Sequence, residues 1–196
     1  MARTAQVTRK TGETDIVLDL NLDGELAGSR ETGIGFFDHM LDLLQRHAGI
    51  GLTVKASGDL ETGAHHTVED TGICLGKALD EALGDRAGIT RYGYGVVPMD
   101  EARAACAIDI SGRPFAAIDV PLPEGITGGF EHELLEEFMR AVASTARITL
   151  HIELQRGGGT HHVIEASFKA FARALREAVS IDPNAVGVPS TKGTLT

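Results

Sequence analysis

The chain is an internal duplication, and this constrains its fold more than any single motif. His65-His66-Thr67-Val68-Glu69 recurs 96 positions later as His161-His162-Val163-Ile164-Glu165, and the same shift lays Ala78-Leu79 on Ala174-Leu175 and Glu81-Ala82 on Glu177-Ala178. A shift of 88 superposes Glu13 on Glu101 and Gly24 on Gly112, bracketing strand-like alternations at residues 16–22 and 105–110. A shift of 98 lays the apolar helical pattern of residues 37–44 over 135–142, and the strand pattern of 51–54 over 149–152. Unequal shifts are differences in loop length. Each half therefore predicts strand, strand, helix, strand, helix, with Gly- and Pro-containing connectors such as residues 84–88 and 121–129. Ile73, Leu75, Leu79, Ala82 and Leu83 follow a helical period with one face packed on a sheet. The expected fold class is α+β, an internally duplicated two-layer sandwich. Its first half spans residues 1–90 and its second, with a C-terminal tail, 91–196, the two packed as one globular unit.

Composition narrows the function. With 42% hydrophobic residues, a chain of 196 has enough apolar material for a real core. A formal charge of −10 argues against nucleic-acid binding, which needs a basic surface, and requires local cations for any anionic ligand. Cys74 and Cys106 lie in apolar runs without Cys-x-x-Cys spacing, which predicts buried thiols in a reducing compartment. No apolar stretch reaches membrane-spanning length and the first residues lead into no signal-peptide apolar region, so the expected location is cytoplasmic, with no membrane partner.

The repeated cassette carries the chemistry. On a helix, Glu69 can share a face with His65 or His66, but adjacent imidazoles point about 100° apart. One such pair fits poorly around a single ion, so two copies point to two ions, each drawing ligands from several segments. The shift of 98 also places Glu137 at the repeat position of His39. His39, His65, His66, Glu69, Glu137, His161, His162 and Glu165 thus make eight candidate ligands, about four per ion. Imidazole and carboxylate without thiolate suit manganese, iron or zinc. Four protein ligands leave two positions open on a six-coordinate ion but fill a four-coordinate zinc, which ranks Mn²⁺ above Zn²⁺.

Thr32-Gly33-Ile34-Gly35-Phe36-Phe37-Asp38-His39-Met40, both His-His-x-x-Glu motifs, Asp109-Ile110-Ser111-Gly112-Arg113-Pro114 and Pro189-Ser190-Thr191-Lys192-Gly193 occur in this order. With them the chain, from about Arg9 to Lys192, resembles the imidazoleglycerol-phosphate dehydratases. The resemblance implies a ribosomal protein S5 domain 2-like sandwich and a hydro-lyase of histidine biosynthesis. That enzyme converts imidazole glycerol phosphate to imidazole acetol phosphate with loss of water. It also implies two Mn²⁺ per subunit and self-association into a shell of 24 subunits. Glu13 matches the family's catalytic glutamate, and His47 and Asp100 match positions near the substrate. Arg91, Arg113, Lys169, Ser190 and Lys192 match its phosphate-binding residues. The chain departs from many relatives at Glu137, where they carry His, at Leu43, where they carry Gln, and in the loop at residues 61–64.

The reaction must expel a hydroxyl beside the imidazole ring and remove a non-acidic proton from the next carbon. Metal at both ring nitrogens would hold the ring as an imidazolate whose electrons expel the hydroxyl, after which the proton becomes acidic. Two other readings share the ligand pattern: a dinuclear metallohydrolase, and a metal-storage or metal-assembled scaffold, which gives Glu13 and the cations no role.

Overall fold

The computed structural model describes residues 2–24 and 27–195. The first half begins with a hairpin of β1 (Thr4–Lys10) and β2 (Thr14–Asn21), followed by a short β3 (Arg30–Glu31), α1 (Gly35–Ala48), β4 (Gly51–Gly58) and α2 (His65–Leu83). The second half repeats the plan with β5 (Tyr92–Met99), β6 (Ala102–Asp109), β7 (Phe115–Asp119), an added hairpin of β8 (Ile126–Thr127) and β9 (Phe130–Glu131), α3 (Leu134–Ala146), β10 (Thr149–Arg156) and α4 (Thr160–Val179). The sheets have equivalent orders, β1-β2-β4-β3 and β5-β6-β10-β7. Their registers repeat as well. Val7 opposes Leu18 where Gly95 opposes Cys106, and Leu18 opposes Val54 where Cys106 opposes Ile152.

This is the α+β duplicated sandwich expected, with four strands missing from the expectation. β3 and β7 each add a parallel edge strand beside β4 and β10. The connector at 121–129 contains β8, which pairs with β9.

Side-chain periodicity explains the layers. On β2 the alternate residues Ile16, Leu18 and Leu20 are buried, so one face of the first sheet is apolar. α1 buries Phe36, Phe37, Met40, Leu41, Leu44 and Ala48, the stripe of an amphipathic helix. It stops at Gly49, whose left-handed φ of 71° lets its N–H bond the carbonyl of Gln45 at 2.9 Å. α2 packs on β1 and β2 and against α3, while α4 packs on β5 and β6 and against α1. The helices of the two halves therefore face each other between the sheets, and buried side chains from both halves join one core.

Gly72 and Gly76 allow the closest of these approaches. A Cβ on either would strike α3 backbone at Phe138 or Val142, and Thr145 Oγ1 donates to the Ile73 carbonyl at 3.1 Å. Phe37, Phe138 and Phe168 then join α1, α3 and α4 through ring contacts at 5.3 Å. No helix among the described residues is long and apolar enough to cross a membrane. Both cysteines are buried, and burial pushes the Cys74 thiol up to about 11.

Candidate active site and metal centre

Both His pairs sit in the first turn of a helix, α2 or α4, and both splay. The rings of His65 and His66 are 6.0 Å apart with planes at 85°, and those of His161 and His162 are 5.8 Å apart, also at 85°. Each pair therefore serves two directions. The first His turns along its helix to the Glu four residues on: His65 Nε2 is 3.5 Å from Glu69 and His161 Nε2 is 3.2 Å from Glu165. The second turns outward to the loop at the sheet end.

Glu13 belongs to that loop. Thr11 Oγ1 accepts the N–H groups of Glu13 and Thr14 at 3.1 and 3.0 Å, which closes the β1–β2 turn. The turn is fastened to α2 through buried Asp70, which accepts from Thr14 Oγ1 at 2.6 Å and pairs with Arg9 at 2.8 Å. This brings Glu13 Oε1 to 3.7 Å from His66 Nε2. The ring's other nitrogen, Nδ1, meets Asp59 at 3.0 Å. The hydrogen bond to Asp59 and nearby acidic groups raise the His66 pKa against desolvation. For Asp59, desolvation acts upward, but the bonds from His66 and Thr62 outweigh it and its pKa falls.

The second half repeats the arrangement with different parts. Asp100 and Glu101 form the β5–β6 turn, Asp100 in the left-handed region at φ 48°. Glu101 accepts the Gly159 N–H at 2.6 Å and meets His162 Nδ1 at 3.0 Å; the Gly159 bond is the main reason its carboxyl falls to about 2. Asp100 Oδ2 lies 3.9 Å from His162 Nε2. Among the described residues, Asp100, Glu101 and His162 are the three whose ligand atoms converge within 4.8 Å.

Across the α1–α4 contact, His39 Nε2 is 3.8 Å from Glu165 Oε2, and Lys169 Nζ is 2.5 Å from Glu165 Oε1. Glu165 is almost fully buried. Desolvation pushes its pKa up, but the bond and charge of Lys169 and the charge of His39 bring it below the ordinary value. The His47 side chain makes no hydrogen bond or ion pair among the described residues. Its pKa is lowered by burial and then by the positive charges of Lys169, Arg173 and Arg46. This is the reverse of what a helix C-terminus alone would do to it. The side chain of Glu137 on α3 likewise has no hydrogen bond or ion pair among the described residues.

A separate cavity of about 710 Å³ is lined by Arg91, Arg113, Ser190 and Lys192, together with Tyr92 and the tail. Arg91, at φ 75°, grips Asp109 with two nitrogens, stacks on Tyr92 and donates to the Pro189 carbonyl at 2.8 Å. Its guanidinium thus builds the cavity wall. Buried Arg86 reaches the Leu195 carbonyl and Asp80, and a Cβ at Gly112 would collide with that same Leu195 carbonyl. The tail is held in place by these contacts. Lys169 stands apart from the cavity, at Glu165 and within 3.4 Å of Met99 Sδ.

Sequence reasoning missed Asp59, Glu101 and Arg86. The repeat did offer a signal for Glu101, the partner of Glu13 at a shift of 88. Asp59 and Arg86 follow no pattern: Asp59 meets His66, seven residues on, across the connection from β4 to α2, and Arg86 reaches the carbonyl of Leu195 at the far end of the chain. His132 ties the connector before α3 together: it meets the Pro123 carbonyl at 2.8 Å and Thr127 Oγ1 at 3.0 Å.

Comparison with known proteins agrees with the residue pattern. The family model for imidazoleglycerol-phosphate dehydratase matches residues 32–175. The imidazoleglycerol-phosphate dehydratase of Jannaschia sp. (strain CCS1) is 55% identical over 194 residues, 98% of this chain and 100% of the relative. That of Alkaliphilus metalliredigens is 54% identical over 195 residues, 100% of both. The crystal structure of the Staphylococcus aureus imidazoleglycerol-phosphate dehydratase aligns with a TM-score of 0.83 at 42% identity, covering 91% of this chain and 99% of the other. The Pyrococcus furiosus enzyme in complex with (S)-C348 aligns with a TM-score of 0.83 at 38% identity, covering 96% and 100%. The chain belongs to the imidazoleglycerol-phosphate dehydratase family and is an enzyme of the hydro-lyase class.

Proposed function

We propose that the chain dehydrates imidazole glycerol phosphate to imidazole acetol phosphate in histidine biosynthesis, with Mn²⁺ as cofactor at about two ions per subunit. The observation that carries this is the duplicated, splayed His pair with Glu13 beside the outer ring of the first. The donor set fits such an ion. It consists of imidazoles and carboxylates, and both thiols are buried. His39, His65, His66, Glu69, His161, His162 and Glu165 would hold the metal, with Glu137 as the eighth ligand. Bound there, the metal supplies Lewis-acid stabilisation of the substrate's ring and a template for it.

The rest is the work of the chain's own side chains. Glu13, half-exposed on a turn pinned to α2, takes the proton from the carbon beside the leaving hydroxyl. His47 and Asp100 orient the substrate or relay protons. Arg113, Ser190 and Lys192 bind the phosphate in the cavity that Arg91 braces, and Lys169 adds positive charge near Glu165. Each constellation within one chain presents a fraction of a coordination sphere, which favours ions bridging subunits and supports the family's 24-subunit shell.

Turnover of imidazole glycerol phosphate, set against generic phosphoesters, tests the reading. Dehydration of the first with no hydrolysis of the others is expected. Phosphoester hydrolysis alone would favour a dinuclear hydrolase, and metal binding without either activity would favour a scaffold.

A further inference from the structure

The two outer rings, His66 and His162, are held in the same way by carboxylates from unrelated places in the repeat. Both oxygens of Asp59 lie 3.0–3.1 Å from His66 Nδ1, and both oxygens of Glu101 lie 3.0–3.1 Å from His162 Nδ1. An ionised carboxylate only accepts hydrogen bonds, so Nδ1 must carry the hydrogen. The lone pair of the neutral ring is then on Nε2, the nitrogen facing away from the carboxylate.

The repeat makes the origin of these carboxylates informative. Glu101 stands in the β5–β6 turn, and its counterpart in the β1–β2 turn is Glu13. Glu13 does not hold the ring's Nδ1. That place is taken by Asp59, at the end of β4, where the matching residue of the second half is Gly157. Glu13 is instead 3.7 Å from Nε2, with its side chain 56% exposed. The Asp59 N–H donates to the Glu13 carbonyl at 3.1 Å, so one backbone link sets both carboxylates against the same ring. Glu101, by contrast, is tied to both His162 Nδ1 and the Gly159 N–H, whereas no hydrogen bond among the described residues holds the Glu13 carboxylate.

We propose that Asp59 and Glu101 are positioning residues that fix His66 and His162 as Nδ1–H tautomers with Nε2 presented to metal. The presence of Asp59 in the first half alone releases Glu13 from ring-holding and leaves it available as the base. This rests on the reading of His66 and His162 as metal ligands. Carboxylates behind ligating imidazoles typically set metal affinity by about 10- to 100-fold.

The test is NMR of the ring nitrogens in metal-stripped, histidine-labelled full-length protein, at a pH where the rings are neutral. Signals are assigned by their loss in His66→Gln and His162→Gln. In the wild type both rings are expected as Nδ1–H tautomers. Asp59→Asn should mix the tautomers of His66 only, Glu101→Gln those of His162 only, and each should weaken Mn²⁺ binding about 10- to 100-fold by calorimetry. An Nε2–H tautomer at either ring in the wild type overturns the proposal without any carboxylate variant having to fold. Unchanged tautomers and affinity in both variants overturn it as well. The ligand reading stands or falls separately, by whether His66→Ala and His162→Ala lose metal.

Discussion

Glu13 owes its place to a threonine and an aspartate. Thr11 closes the turn, and Asp70 ties that turn to the helix bearing His66. Because the backbone sets the position, Glu13→Gln should keep fold and substrate binding while removing the proposed proton acceptor. A fall in kcat of roughly 10²- to 10⁴-fold with little change in KM is expected from steady-state kinetics; unchanged kcat would mean that another group is the base. His47 permits a pH prediction. Its folded pKa lies below the ordinary 6.5, so the unfolded chain binds the proton first as pH falls. Stability is therefore undiminished above about 6.5 and declines as pH drops from there toward the folded pKa, where the slope vanishes. In metal-stripped protein, His47→Asn should flatten this acid-side decline in Tm, and parallel Tm–pH curves for the two proteins would contradict it.

At the scale of elements, the tail makes the sharpest claim. Residues 189–193 read as a terminus that would fray, yet Arg91 and Arg86 anchor the segment at both ends and place Lys192 in a cavity with Arg113. Lys192→Ala should therefore raise KM with kcat nearly unchanged, as expected for the proposed phosphate contact if it is made both before and during reaction; wild-type KM would mean that the tail plays no part in binding. The long elements were legible in the sequence because the duplication shows each twice: the 88 shift carries β2 onto β6 residue for residue, and the 98 shift carries β4 onto β10. β3, β7, β8 and β9 were not legible. Runs of two to five residues are too short to alternate visibly, and the pairing of β3 and β7 is set by strands distant in the chain. The metal-ligand candidates could be read because they form a repeated motif. Asp59 and Arg86 could not, since each is an ordinary charged residue whose partner is chosen by the fold.

At the scale of the whole molecule, the splay of the His pairs matters most. Inner and outer rings face different directions, the inner toward a helix neighbour and the outer toward a turn, so one chain offers several partial sites. If an ion joins partial sites on different subunits, metal binding adds to assembly energy by mass action. Metal-stripped protein should then sediment as a small oligomer, and Mn²⁺ should drive it into one large closed particle. A small species persisting after Mn²⁺ loading would place the sites within single subunits.

Activity titration decides whether the duplicated cassettes hold the ions on which dehydration depends. Protein stripped exhaustively with chelator is assayed on imidazole glycerol phosphate while Mn²⁺ is added back in measured amounts. No turnover is expected in the stripped protein, with recovery that saturates at about two ions per chain. Full activity in metal-free buffer, or saturation at a single ion per chain, would contradict it.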